Sequence, residues 1–217
     1  MTQNGIFQGR TRVVYDYGRY GYTRGGGKTW HGGLDLAGVD EDTIRMPCYT
    51  GADGTRREIC GRVITARQVT DRTNRTWEWG WYVCVQLDAD QTPDAVNYLY
   101  FCHCDHMLVS VGQQVRSGDP LAVMGNSGNA ALNDPPYKHC HLEVRAAATG
   151  SGLDPTAYSG TPNAVGTYGT APETAQGENR LQIITIGPVS QGDADAVLAV
   201  CRQRGLDTQG LYTSRWA

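Results

Sequence analysis

The hydrophobic pattern of this chain alternates with a period of two through much of its first two thirds. In Trp81-Tyr-Val-Cys-Val-Gln-Leu-Asp88, the residues Trp81, Val83, Val85 and Leu87 share one face, the signature of a half-buried strand. Asn97 to Cys104 reads as a second strand, with Leu99, Phe101 and His103 on one face and Tyr98, Tyr100, Cys102 and Cys104 on the other. His139 to Arg145 reads as a third. Gly51-Ala-Asp-Gly54 and the stretch from Asp88 to Asp94 punctuate these runs as turns or loops. Residues 1–158 therefore read as one β-rich unit. Residues 159–179 hold few large apolar side chains and read as a linker. Beyond them the pattern changes. Leu181 to Ile186 is strand-like, and Ser190 with Asp193 forms a capping box. Ala194, Val197, Leu198 and Cys201 fall on one helical face, Gly205 follows as a C-cap, and Leu211 to Trp216 reads as a further strand. Residues 180–217 thus spell a small β-α-β unit, too little to bury a core alone. A partner chain or further residues would complete it, so it is a candidate for self-association, assembly or surface docking.

Composition agrees with a turn-rich, mainly β architecture of antiparallel sheet, since 28 glycines and nine prolines are many for a helical protein of 217 residues. The net charge of -3, without a basic block, argues against nucleic acid as a partner. No apolar run approaches the roughly 20 residues that span a bilayer. The first ten residues contain no apolar core of a secretory signal. The expectation is export by another route, a mature or excised domain, or a phage-delivered, virion-associated product. The seven cysteines include no CxxC pair, so they read as reduced, small core residues rather than a disulfide framework or zinc ribbon.

Four of the five histidines sit in motif-like settings. His31 and Asp35 lie four apart in Trp-His-Gly-Gly-Leu-Asp-Leu, where the glycines allow a tight fold that aims both at one point. His103 stands in Tyr-Phe-Cys-His. His139 and His141 flank Cys140 on a strand, so both imidazoles project to the same side. Each motif alone is weak, because strand histidines are common. Together they offer a shell of two imidazoles and one carboxylate with an open fourth position, the arrangement of a catalytic rather than a structural zinc. The remaining histidines would move a proton and stabilise an oxyanion.

These motifs resemble peptidase family M23, the zinc endopeptidases of lysostaphin and LytM type. The resemblance rests on His31-Gly-Gly-Leu-Asp35-Leu, on Tyr100 to His103, and on the glycine-spaced run from Val109 to Gly128. It is completed by His139-Cys-His-Leu-Glu-Val-Arg145 and by Leu153-Asp-Pro-Thr-Ala-Tyr158. It spans residues 28 to 158. It implies an antiparallel β-sheet metallopeptidase core, with His31, Asp35 and His141 holding Zn2+ and His103 and His139 as the catalytic pair. His106 is left as a solvated bystander. Glu143 reads as a group behind the ligands or a structural one, not as the general base. The implied substrate is a peptide of bacterial peptidoglycan, and the implied site of action is the cell wall, outside the cytoplasm. A non-catalytic wall-binding or activating protein, or a phage tail-tip component on the same fold, is the alternative. Three stretches depart from the family pattern by their length: Gly38 to Tyr49, Gly51 to Cys60 and Asn129 to Lys138. Such loops border the substrate groove in the family. The Val-Gly-x-x-Val-x-x-Gly-x-x-Leu run from Val111 to Leu121 also resembles biotinyl and lipoyl carriers, but those need a modifiable lysine, and none occurs between Lys28 and Lys138. Alternation places Cys102, Cys104 and Cys140 away from the histidines, as packing residues. Tyr15, Tyr17, Tyr20 and Tyr22 read first as a surface loop with partial burial, and in the alternative as a groove wall.

Overall fold

The structure is a computed structural model that describes residues 3–74, 76–171 and 190–203. The chain divides into two units, Met1–Ala175 and Gln176–Ala217. Among the described residues, the first unit is built on one antiparallel sheet of ten strands. They are β1 (Thr11–Val13), β2 (Leu34–Gly38), β3 (Thr43–Arg45), β4 (Cys60–Gln68) and β5 (Trp81–Leu87), then β6 (Tyr98–Met107), β7 (Gln114–Arg116), β8 (Pro120–Met124), β9 (Cys140–Arg145) and β10 (Gly166–Tyr168). The order across the sheet is β7-β4-β5-β6-β9-β2-β1-β10, and β8 bridges β6 to β3.

Alternation gives this sheet its two faces. Leu34 and Leu36 of β2, Val83 and Val85 of β5, Leu99 and Phe101 of β6, and Leu142 and Val144 of β9 are all fully buried in the main core. Each buried Val, Leu or Phe contributes roughly 1.5–3 kcal/mol relative to exposure, so this face fixes the register. The other face carries a smaller cluster of Tyr82, Cys84, Tyr100 and Cys102, with Trp77 and Trp79 packed against it. In the register of β6 with β9 and of β9 with β2, Cys102 lies opposite His141 and His141 opposite Asp35. Directly paired residues share a face, so the three point the same way.

The alternation breaks at His103. Trp81 pairs with Cys104 and Val83 with Phe101, so Tyr82 alone faces both Cys102 and His103, which is a β-bulge. His103 takes φ +63°, a left-handed conformation rare outside glycine. The bulge turns His103 out of the core face that period two assigns to it. Cys104 takes that place, buried beside Leu99 and Phe101. Two expectations are corrected here. His103 does not share a face with Leu99 and Phe101, and Cys102 lies on the side of His141 rather than away from it. Cys140 does point into the main core. Strand β6 also changes partner at the bulge, leaving β9 after Cys102 and pairing with β8 from Cys104.

The end of the unit extends past position 158. Leu153 bridges Val144, and the helical turn Thr156–Ser159 seats Tyr158, fully buried, with its hydroxyl donating to Asp94 at 2.9 Å. Residues 166–168 then add β10 to the sheet edge beside β1. Within the stretch read as a linker, residues 166–168 are thus strand, held by backbone pairing that does not require large apolar side chains.

In the second unit the helix Gln191–Gln203 begins at Ser190. Its hydroxyl accepts from the Asp193 N–H at 3.2 Å and donates to the Asp193 carboxylate at 2.6 Å, which is the cap the sequence calls for. Ala194 and Leu198 are half-buried, while Val197 is exposed. The flanking strand expectations at Leu181–Ile186 and Leu211–Trp216, and the C-cap at Gly205, lie outside the described residues. Among the described residues, no helix is long and apolar enough to cross a membrane.

Candidate metal and catalytic centre

Three elements deliver the site to the wall of a groove of about 580 Å³. The hairpin Gly21–Arg24 with Thr29–His31 ends on His31, strand β2 supplies Asp35, and β9 supplies His141. All three are buried, and their ligand atoms lie within 4.8 Å of one another. His31 Nε2 is 2.9 Å from His141 Nδ1 and 3.3 Å from Asp35 Oδ1, and His141 Nδ1 is 2.9 Å from Asp35 Oδ1.

The outer nitrogen of each imidazole is already committed. His31 Nδ1–H donates to the Arg19 carbonyl at 2.8 Å, and His141 Nε2–H donates to Glu143 at 3.3 Å. A carbonyl and a carboxylate can only accept, so these bonds fix the tautomers that leave His31 Nε2 and His141 Nδ1 bare when the rings are neutral. Three lone pairs then converge where nothing but a proton or a cation can sit between them. Burial opposes the charge on His141, but hydrogen bonds to Asp35 and Glu143 overcome it and raise its pKa to about 9. Asp35 is held well below the usual carboxylate range: burial works against its charge, and the hydrogen bonds from His141 and His31 prevail.

The glycines of the motif have a steric reason. A Cβ on Gly33 would run into the Leu142 carbonyl and come within 2.7 Å of the His141 ring, one on Gly32 would come within 3.3 Å of Glu143 Oε1, and, outside the motif, one on Gly152 would collide with the Gly32 carbonyl. The backbone passes this close because it must place His31 and Asp35 around His141.

His103 and His139 stand beside the triad, with ring centroids 4.8 Å apart, and His103 is 6.0 Å from His141. His103 Nδ1–H donates to the Ser127 carbonyl at 2.9 Å, which leaves Nε2 as its bare nitrogen. Ser127 is itself braced, donating to the Cys104 carbonyl at 2.7 Å and accepting from the Trp81 N–H at 2.9 Å. Burial, with the nearby charges of His139 and His141, lowers the His103 pKa to about 3. Burial lowers that of His139 as well. His139 Nε2 faces Asp35 Oδ1 at 3.9 Å. His106 is exposed and bonds Asp105 at 2.8 Å, away from the groove.

Several groove residues carry no motif signal. Tyr137 stacks on His139 at 4.4 Å, and burial pushes its hydroxyl pKa up. It belongs to the long Asn129–Lys138 stretch, which also gives Asn129 and Asn133 to the groove. Glu78 and Trp79 line it from the helical turn Trp77–Trp79, whose pair of tryptophans is the one hint in the sequence. Behind the ligands, Arg145 donates to Glu143 at 2.7 Å and lies over Trp79 and Tyr100, 5.1 and 4.8 Å from the ring centroids. Arg24 lines the groove and bonds Asp35 Oδ2 at 3.1 Å. Of the four tyrosines near the N-terminus, Tyr17 lines the groove and Tyr15 stacks on it at 4.9 Å, which favours the wall reading for that pair. The Gly51–Cys60 stretch lines a different, shallow pocket with Tyr49 and Pro93.

Among solved structures, the chain is similar to the catalytic domain of the antimicrobial peptidase lysostaphin from Staphylococcus simulans. Identity is 17%, covering 67% of this chain and 90% of that one, with a TM-score of 0.45. A variant of the catalytic domain of the prophage-encoded M23 protein EnpA from Enterococcus faecalis shows 18% identity over 63% and 85% of the two chains, at a TM-score of 0.43. A zinc-containing peptidase from Vibrio cholerae shows 21% identity over 64% and 32%, at 0.36. The model of peptidase family M23 matches residues 60–155, which include His103, His139, His141 and Glu143, while His31 and Asp35 precede the matched segment. Over that segment, which is less than half of the chain, the protein is similar to the M23 peptidase family.

Proposed function

We propose that this protein is a zinc-dependent endopeptidase that hydrolyses peptide crosslinks or stem peptides of bacterial peptidoglycan, acting at the cell wall. The observation that carries the reading is the convergence of His31 Nε2, His141 Nδ1 and Asp35 Oδ1 on one spot, with the outer nitrogen of each imidazole tied to an acceptor. Two imidazoles and one carboxylate are a ligand set that suits zinc. When bound, the metal supplies Lewis acidity toward a carbonyl and lowers the pKa of water.

The chain's own residues do the rest. His31, Asp35 and His141 would hold the ion. Tyr17, Trp30, Trp79 and Tyr137 wall the groove and keep an extended peptide in line with the site. His103 presents a bare Nε2 beside His139, and this pair divides the handling of the proton and the developing oxyanion. Hydrolysis adds one water across the amide. A C–O bond forms, the C–N bond breaks, and the proton removed from water ends on the leaving nitrogen.

The test is mass spectrometry of products from purified peptidoglycans of several crosslink types. It is run with zinc-loaded protein, chelated protein and His103→Ala. New peptide termini that need both metal and His103 are the expected result. Stoichiometric zinc with no cleavage of any wall would overturn the reading in favour of a binding or activating role.

A further inference from the structure

Among the described residues that line the groove, Arg24 is the one arginine or lysine, and the proposed hydrolysis does not use it. It is the last residue of the first hairpin strand, just before three glycines that all take positive φ. Its Nη2 bonds Asp35 Oδ2 at 3.1 Å and its Nε donates to the Tyr17 carbonyl at 3.2 Å. A guanidinium has five N–H donors, and those two bonds hold it while leaving donors on its outer edge. The side chain is 39% exposed and lines the groove. The neighbouring acids are already committed, Asp35 to the histidines and Glu143 to His141 and Arg145, while Glu78 is exposed on a separate turn.

We propose that Arg24 is the seat of a free carboxylate on the bound peptide. This rests on the peptidase reading and narrows its substrate class. Because Arg24 Nη2 lies 3.1 Å from Asp35 Oδ2, a carboxylate held by its remaining donors sits close to the His31, Asp35 and His141 cluster. The protein then favours peptides that end close to the scissile bond over the interior of a long neutral bridge. The planar fork of Arg matches a carboxylate in a way that a carboxamide cannot reproduce.

The experiment uses N-acetylated tetraglycine and an N-acetylated peptide ending in D-Ala-D-Ala, each as free acid and as C-terminal carboxamide. Binding is read by calorimetry on metal-free and zinc-loaded full chain, and hydrolysis by kcat/KM on the zinc-loaded chain. The acid of at least one pair is expected to be favoured tenfold or more, chiefly in binding and KM, and Arg24→Gln to erase the difference. A group that only braced Asp35 would not discriminate acid from amide. Equal treatment of acid and amide by the wild type, or a preference that survives in R24Q, overturns the proposal. Cleavage without acid preference sinks the Arg24 seat and leaves the peptidase reading standing. Acid-selective, Arg24-dependent binding without cleavage keeps the seat and sinks the peptidase.

Discussion

Glu143→Ala should weaken zinc binding and destabilise the fold through two separate bonds. The carboxylate accepts from His141 Nε2–H at 3.3 Å and from Arg145 Nε–H at 2.7 Å, and it is 7% exposed. Burial works against its charge, yet its pKa is lowered by the hydrogen bond and charge of His141, with Arg145 adding to both. Loss of the acceptor frees the imidazole to rotate or change tautomer. Removing such a partner behind a metal-bound histidine costs roughly 10- to 100-fold in affinity, about 1.4–2.7 kcal/mol. Arg145, half-buried at 14% side-chain exposure, is left without its carboxylate, and the cost of about 3–5 kcal/mol that such a loss carries for a fully buried pair is an upper bound. Its stacking over Trp79 and Tyr100 retains about 0.5–2 kcal/mol, so the lower end applies. Glu143→Gln keeps an acceptor for either neighbour and should lose less than tenfold. Competition with a chromophoric chelator reads the affinity, and thermal unfolding of the metal-free protein reads the stability. A folded E143A protein that binds zinc within twofold of wild type would refute the orientation of His141 through Nε2. An E143Q protein with full zinc and turnover down a hundredfold or more would show that Glu143 itself moves the proton.

His31→Ala, Asp35→Ala and His141→Ala should each abolish stoichiometric zinc by elemental analysis, whereas His103→Ala should keep the metal and lose roughly 10²–10⁴ in turnover. Retained zinc in D35A would remove that residue from the ligand set. Because a proton on His141 occupies the metal locus up to about pH 9, zinc affinity should rise steadily from pH 6.5 to 9, and a flat profile would count against it. The same shift stabilises the metal-free fold fully below about pH 6.5 and is lost as pH climbs through about 9. His103, lowered to about 3, works on the acid side, where the unfolded chain binds a proton that the fold refuses. Unfolding of the metal-free protein across pH should therefore show a maximum near neutrality, and a stability still rising beyond pH 9 would contradict it. Gly33→Ala should cost about 1–3 kcal/mol and reduce zinc affinity, since its Cβ has no room beside the Leu142 carbonyl and the His141 ring; unchanged melting and affinity would show that the backbone yields there.

What the sequence reveals and what it hides follow from one distinction. Period-two alternation is a property of the chain itself, so Leu34, Asp35 and Leu36, or Cys140, His141 and Leu142, can be sorted to their faces before any fold is known, and the structure sorts them the same way. A bulge is a property of two strands. Nothing in Phe101-Cys-His-Cys104 shows that Tyr82 will face two residues instead of one. His103 therefore reads as a core-facing residue by pattern, and only family resemblance places it in the site. The groove walls are hidden for a related reason. Trp79, Tyr137 and Arg24 come from stretches without periodicity, and each meets the site through a contact made only in the fold: Trp79 under Arg145, Tyr137 on His139, Arg24 on Asp35. A ligand set can be legible because metal coordination restricts residue type and spacing together. A groove wall restricts only shape and charge, and many sequences satisfy that. Specificity in this fold should therefore vary from chain to chain while the histidines stay, and the Arg24 contact with Asp35 is the place where this chain's choice touches its chemistry.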